Sequence, residues 1–168
     1  MPKRIENLKE QILSAARRQI DDRGYAGLTV RSIAAACGVG VGTVYNYFDS
    51  KEMIIASFMI EDWLYIVKDI SKGRELGQRE VFFSIYSGLK TFSKMYEKLF
   101  SDKDALAVFN TVFTERHKIL RRQITELILP VISSRDSFTA EFIAESLITW
   151  TMNGNAFDDI YNVIKKLI

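Results

Sequence analysis

The stretch Thr29-Val-Arg-Ser-Ile-Ala-Ala-Ala-Cys-Gly-Val-Gly-Val-Gly-Thr-Val-Tyr-Asn-Tyr-Phe-Asp-Ser-Lys-Glu52 decides the fold. Val30, Ile33, Ala34 and Cys37 recur at helical spacing and predict one apolar face of a two-turn helix. Thr29 stands just before it as an N-cap, because its hydroxyl can accept from an orphan amide of the first turn. Gly38-Val39-Gly40 breaks this helix tightly, with Gly38 supplying a turn that a residue carrying Cβ resists. A second short helix is expected from Val41 to about Phe48, with Val44 and Phe48 inward and Thr43, Asn46 and Tyr47 mostly outward. The small residues Ala34, Ala35, Ala36 and Cys37 let the two helices cross closely. Two short helices on a three-residue glycine-containing turn have the geometry of a helix-turn-helix. The second is slim enough to enter a DNA major groove, about 12 Å wide.

Working outward, residues 5–22 read as an amphipathic helix with Ile5, Leu8, Ile12, Leu13, Ala16 and Ile20 on one stripe and Gly24 as its left-handed stop. Asp49-Ser50-Lys51-Glu52 resembles a capping box that opens a long helix to about Ile70. Further helices are expected over 78–100, from Ser101 or Asp102 to Leu129, and over 138–152 and 156–167. Pro130 and Asn153-Gly154-Asn155 serve as interruptions. No segment shows clean period-2 alternation and no repeat is present. The expected fold class is all-α: a helix-turn-helix domain over 1–49 and a helical ligand-sensing and dimerisation domain over 50–168.

Composition narrows the function classes. With 48% hydrophobic residues the 168-residue chain can bury a sizeable core. No apolar run approaches membrane-spanning length, and charges occupy the start of the chain where a signal peptide needs apolar residues, so a cytoplasmic protein with no membrane role is expected. Net charge is +2, and all of it falls in residues 1–52, a mild asymmetry. The single cysteine, Cys37, is read as a core residue on the inner face of its helix, and His117 as part of a solvated face. Paired carboxylates with a partner His, a nucleophile elbow, a phosphate loop and metal-ligand spacing are all missing. The expectation is therefore a non-enzyme without metal or cofactor.

The register Gly24-Tyr25, Leu28-Thr29-Val30, Ile33-Ala34, Cys37-Gly38-Val39, Gly42-Thr43-Val44-Tyr45, Tyr47-Phe48 and Ser50-Lys51-Glu52 resembles the TetR family of transcriptional regulators, over about residues 8–55. Beyond that segment the likeness lies only in helical character. The resemblance implies double-stranded operator DNA as partner. Thr29 and Arg31 would meet phosphates at the start of the second helix. Thr43 and Asn46 would read base edges, an Asn being able to pair bidentately with adenine. Tyr45 and Tyr47 would reach phosphates, and Lys51 would clamp the DNA backbone. Val41 and Gly42 complete the DNA-facing set, Val41 offering at most an apolar contact to a thymine methyl. Two departures stand out: Gly40 replaces a frequent serine cap and Val41 a frequent polar residue, which shifts specificity toward operator shape.

The resemblance also implies a homodimer and a repressor released by a small molecule. Leu120, Ile124, Leu127, Ile128, Phe142, Leu147 and Trp150 are candidate interface residues. Phe58, Trp63, Phe83, Tyr86, Phe92, Tyr96 and Phe109 make the body aromatic enough to line a cavity for an apolar or flat ligand. Core packing is the alternative reading of those rings. A helical adaptor that binds protein instead of DNA is the alternative reading of the chain.

Overall fold

The computed structural model describes residues 6–72, 77–133 and 136–168, with the side chains of 107–116 outside the description. The described residues are helical without a strand: α1 (Leu8–Gly27), α2 (Val30–Ala36), α3 (Val41–Tyr45), α4 (Lys51–Lys72), α5 (Gln78–Met95), α6 (Glu97–Ser101), α7 (Lys103–Ile128), α8 (Ser137–Met152) and α9 (Phe157–Ile164), with one 3-10 turn at Leu129–Val131. None of these helices is long and apolar enough to cross a membrane. The chain divides into two compact units, one of residues 1–61 and 98–112, the other of 62–97 and 113–168. The division falls inside α4, α6 and α7, whereas the sequence predicts a boundary at residues 49–50, where the helix-turn-helix ends.

The first unit is built on α1. Its regular helix stops at Gly24, whose φ of 69° lies where L side chains are strained, and one further turn carries Tyr25 into the core. Ile12, Ala16, Leu28, Ile33, Val44 and Ile54 are 0% exposed; Ile12, Ala16, Ile33 and Val44 are inward as the spacing predicts, and Leu28 and Ile54 join them from the α1–α2 joint and α4. Arg17 ties α1 to α4: its guanidinium donates to the Phe58 carbonyl at 3.0 Å and lies 4.8 Å from that ring's centre.

In the second unit α5 packs on α8 and α9. Asp136 caps α8 by accepting from the Thr139 amide at 2.7 Å. Gly88 on α5 lies so close to α4 that a Cβ there would sit 2.7 Å from Ile66 Cγ2 and 3.1 Å from Ile70 Cδ1. Helix α8 buries Ala140, Ile143, Ala144, Leu147 and Ile148 on one side, yet leaves Phe138, Phe142 and Trp150 at 76%, 54% and 50% exposure on the other. A helix apolar on both sides has more apolar surface than its own chain covers.

Candidate nucleic-acid interface

The interface candidate starts at the α1–α2 joint. Thr29 Oγ1 accepts from the Ser32 amide at 3.0 Å, and Ser32 Oγ accepts from the Thr29 amide at 3.1 Å, a reciprocal box with serine at the third position. The Ser32 hydroxyl lies 2.5 Å from Gln19 Oε1 and 2.8 Å from the Thr29 carbonyl, and Gln19 Nε2 returns a bond to the Ser32 carbonyl at 3.2 Å. The first turn of α2 is thereby fixed to α1, while Thr29 and Arg31 themselves stay exposed.

Helix α2 ends in a Schellman turn. The amides of Val39 and Gly38 donate to the carbonyls of Ala34 and Ala35 at 3.0 and 3.2 Å, with Gly38 at φ 66°. Gly40 precedes α3 without a side-chain cap, as its sequence predicts. Helix α3 is shorter than predicted, closing at Tyr45. Asn46 is its C-cap, and the Phe48 amide still reaches the Val44 carbonyl at 3.1 Å, which keeps Val44 and Phe48 inward at 0% and 6% exposure. The outward face carries Val41, Tyr45 and Tyr47, the last two half exposed, together with exposed Asn46 and half-buried Thr43. Gly42 sits in this face with helical backbone, and a Cβ there would meet nothing within 4 Å. The fold itself gives no reason for a glycine at this position. Cys37 is half-buried at the rim of a cleft of about 410 Å³ between α1 and α2, shared with Glu10, Ser14 and Arg18, and not in the core; burial raises its thiol's pKa against the opposing charge of Arg18.

At the start of α4 the structure corrects the predicted capping box. Ser50, not Asp49, caps the helix, its Oγ accepting from the Met53 amide at 3.2 Å. Glu52 is drawn elsewhere: its Oε1 accepts from the Tyr25 hydroxyl at 2.6 Å. Lys51 Nζ donates to the carbonyls of Tyr25 and Leu28 at 3.2 and 3.3 Å and lies 3.8 Å from the centre of the Tyr25 ring. Burial, the bond to Glu52 and the charges of Glu52, Asp102 and Asp104 push the Tyr25 phenol well above its usual range. Burial alone would raise the Glu52 carboxyl, but hydrogen bonds from Tyr25, its own amide and Ser50, with the charge of Lys51, outweigh it and hold the group below the usual range. Tyr25 and Glu52 are site residues that periodicity does not single out; the only signal for them is the Gly24-Tyr25 and Lys51-Glu52 register.

The remaining candidates fall differently. Phe58 belongs to the first unit, and the side chain of Phe109 lies outside the described residues. Within the second unit Trp63 meets Phe92 edge-on with centroids 5.7 Å apart, and Phe92 meets Tyr96 at 5.0 Å. Trp63 Nε1 donates to Gln123 at 2.9 Å, and the Tyr96 hydroxyl donates to Asp62. Phe83 is 49% exposed against the edge of Phe157, and Tyr86 donates to the Asn155 carbonyl at 3.0 Å. Of the interface candidates, Ile124, Leu127, Ile128 and Leu147 are buried in the chain's own core and Leu120 is half-buried, leaving Phe142 and Trp150 on the surface. His117 is not merely solvated: its Nε2 pairs with Glu145 at 2.8 Å, with Arg121 3.7 Å from the same carboxylate. Among the described residues no cluster of three or more His, Cys, Asp or Glu is placed to hold a metal ion.

Comparison with known proteins agrees with this geometry. Residues 12–58 match the family model described as bacterial regulatory proteins, tetR family. The transcriptional repressor AcnR of Corynebacterium efficiens is 32% identical over 66 residues, which cover 39% of this chain and 35% of that protein. The regulator UidR of Escherichia coli is 32% identical over 54 residues, 32% of this chain and 28% of that protein. The chain thus spans about a third of the length of the curated relatives it matches. Over nearly its whole length the fold is that of the Streptomyces coelicolor A3(2) protein SCO7518, described as a transcriptional regulator. Its TM-score is 0.67 at 16% identity, with 95% of this chain and 97% of that chain covered. A capped α2, a Schellman turn and an outward Tyr-Asn-Tyr face thus coincide with the segment, residues 12–58, that matches the model of the bacterial regulatory proteins of the tetR family.

Proposed function

We propose that the protein is a DNA-binding transcriptional regulator acting as a homodimer on a nearly palindromic duplex. The observation that carries this reading is the outward face of α3. Val41, Thr43, Tyr45, Asn46 and Tyr47 are displayed there on a rigidly turned short helix, and Gly42 keeps open the space in front of it. Asn46 and Thr43 read base edges; Thr29, Arg31, Tyr45 and Tyr47 hold phosphates, which fixes register. Two such heads, placed by a two-fold axis, call for half-sites about one helical turn or more apart. The uncovered side of α8, with Phe138, Phe142 and Trp150, supports a second copy as the partner. The sign of regulation we propose is repression, the activity named for AcnR.

Release by a small apolar or aromatic ligand is part of the same reading. Trp63, Phe92 and Tyr96 pack together with polar tips held by Gln123 and Asp62, so a flat or apolar ligand would enter by parting this aromatic layer. Such a ligand must bind two arrangements of the dimer unequally to shift anything. The function is binding and not catalysis.

Selection of bound duplexes from a random pool, followed by gel shifts across salt concentrations, tests the proposal. The expected outcome is a near-palindromic consensus with log K falling steeply against log salt. If no duplex in the pool is enriched over random DNA, the protein is not a DNA-reading regulator.

A further inference from the structure

Helix α2 has only 7 residues and buries two of them, Ile33 and Ala34. So narrow an apolar stripe seats a helix on its neighbour but fixes its roll about its own axis poorly. Gln19 of α1 supplies what the stripe lacks. Its Nε2 donates to the Ser32 carbonyl at 3.2 Å, and its Oε1 accepts from the Ser32 hydroxyl at 2.5 Å. One side-chain amide thus holds a single residue of α2 by main chain and side chain together, a fork that resists rotation where one bond would pivot. Both residues are half-buried, whereas Thr29 and Arg31, on either side of the first turn that Ser32 belongs to, are exposed. Thr29 is tied to Ser32 through their reciprocal box. The fork adds little to stability. Without Gln19 the Ser32 hydroxyl still has the Thr29 carbonyl at 2.8 Å as its acceptor, so an apolar residue of the same length orphans no hydroxyl.

We infer that Gln19 is a positioning residue for DNA binding: it sets the roll of α2 on α1, and with it the direction in which Thr29 and Arg31 meet the duplex. This rests on the DNA-binding reading above. Gln19 is uncharged and acts only through Ser32, which gives its role a signature of its own. A cation turned away from its phosphate no longer displaces counterions from the DNA. The salt dependence of binding therefore falls although no charge has been removed from the protein. A residue that merely stabilised the fold would leave that dependence alone.

The test compares Gln19→Met, Arg31→Ala and the double variant with the wild type on the selected duplex across salt concentrations, with thermal melts and backbone amide hydrogen exchange alongside. Gln19→Met is expected to lower the slope of log K against log salt by about one, as Arg31→Ala does. The double variant should lose no more slope than Arg31→Ala alone, because Gln19 acts by placing Arg31. The melting temperature of Gln19→Met stays near that of the wild type. The Ile33 amide, which donates to the Thr29 carbonyl at 3.0 Å in the first turn of α2, loses protection. Gln19→Asn, one methylene too short to reach Ser32 at both ends, keeps a polar amide and should show the same slope and the same loss of protection. A wild-type slope in both Gln19 variants, or slope losses that add in the double variant, makes Gln19 a support of the fold and overturns the inference. If the wild type binds no duplex, the DNA-binding reading fails instead, and exchange decides on the fork alone. Protection lost at Ile33 with an unchanged melting temperature upholds it, and full protection overturns it.

Discussion

The outward faces of α3 and α8 are both rich in large exposed side chains, but their chemistry differs. On α3 the exposed rings are tyrosines beside Asn46 and Thr43, each with an apolar body and a polar tip. On α8 they are Phe138, Phe142 and Trp150, which bring almost no hydrogen-bonding capacity. The α3 face suits a partner that is itself a lattice of acceptors and donors, such as a groove edged by phosphates. The α8 face gains most from being removed from water against a similar surface, about 25 cal/mol for each Å² of apolar area. Exposure alone does not separate a nucleic-acid surface from a protein surface; the placement of polar tips does.

The largest effect that can break this contrast belongs to α8. Replacing Phe142 and Trp150 together by alanine is expected to weaken self-association about a thousandfold, at about 2 kcal/mol or more for each central aromatic. The chain should still fold, because both rings are half exposed in the single protomer. Sedimentation equilibrium measures the change, and an unaltered distribution would remove α8 from the interface.

Next comes α3. Asn46→Ala should cost about 1–3 kcal/mol of discrimination at one base pair and leave binding to random duplex nearly unchanged. A uniform loss across all sequences would make Asn46 a backbone contact.

Gly42→Ala sharpens the contrast by giving opposite signs. Alanine favours helix by up to about 1 kcal/mol, so the melting temperature should rise by about 2–4 °C, while operator affinity falls as the methyl enters the approach path. Affinity that rises along with stability would mean that nothing approaches Gly42.

The smallest effect is electrostatic. The folded-state pKa of Glu52 lies below its unfolded value, so its contribution is present above the ordinary carboxylate range and is lost as pH falls through the folded value. The stability deficit of Glu52→Gln should therefore be full at neutral pH and close on acidification. Tyr25 has the raised value, so its protonated phenol persists as pH climbs past the ordinary phenol range and its contribution fades only above it. Denaturant melts across pH resolve both, and a deficit independent of pH would detach Glu52 from Tyr25.

Much of the head was legible before any coordinates. Thr29 as cap, Gly38 as turn, and Val44 and Phe48 as inward residues follow from local spacing, and the structure has each of them. A sequence shows which side chains of α3 face out, and what meets them is set by a surface outside the chain. Local patterns failed where a side chain had a distant option. Glu52 fits a capping box with Asp49, but the Tyr25 hydroxyl, far away in sequence, wins it, and Ser50 takes the cap. The body was legible as helices and little further. Apolar periodicity marks the strongest stripe of a helix without saying whether its own chain or a second copy covers it. Ile124, Leu127, Ile128 and Leu147 therefore looked like interface and are core. Aromatic spacing has the same ambiguity, since rings that line a cavity and rings that fill one recur at the same intervals.

The contact at Gly88 bears on how a signal could move through the body. A Cβ at residue 88 would sit 2.7 Å from Ile66 Cγ2 and 3.1 Å from Ile70 Cδ1, so the later part of α4 rests closely on α5. Any swing of that segment either drags α5 along as a single lever or lifts the isoleucines out of their seat. Gly88→Ala would act as a wedge at this fulcrum. A methyl group at residue 88 is thus a means of wedging α4 from α5 without touching the aromatic rings or α3.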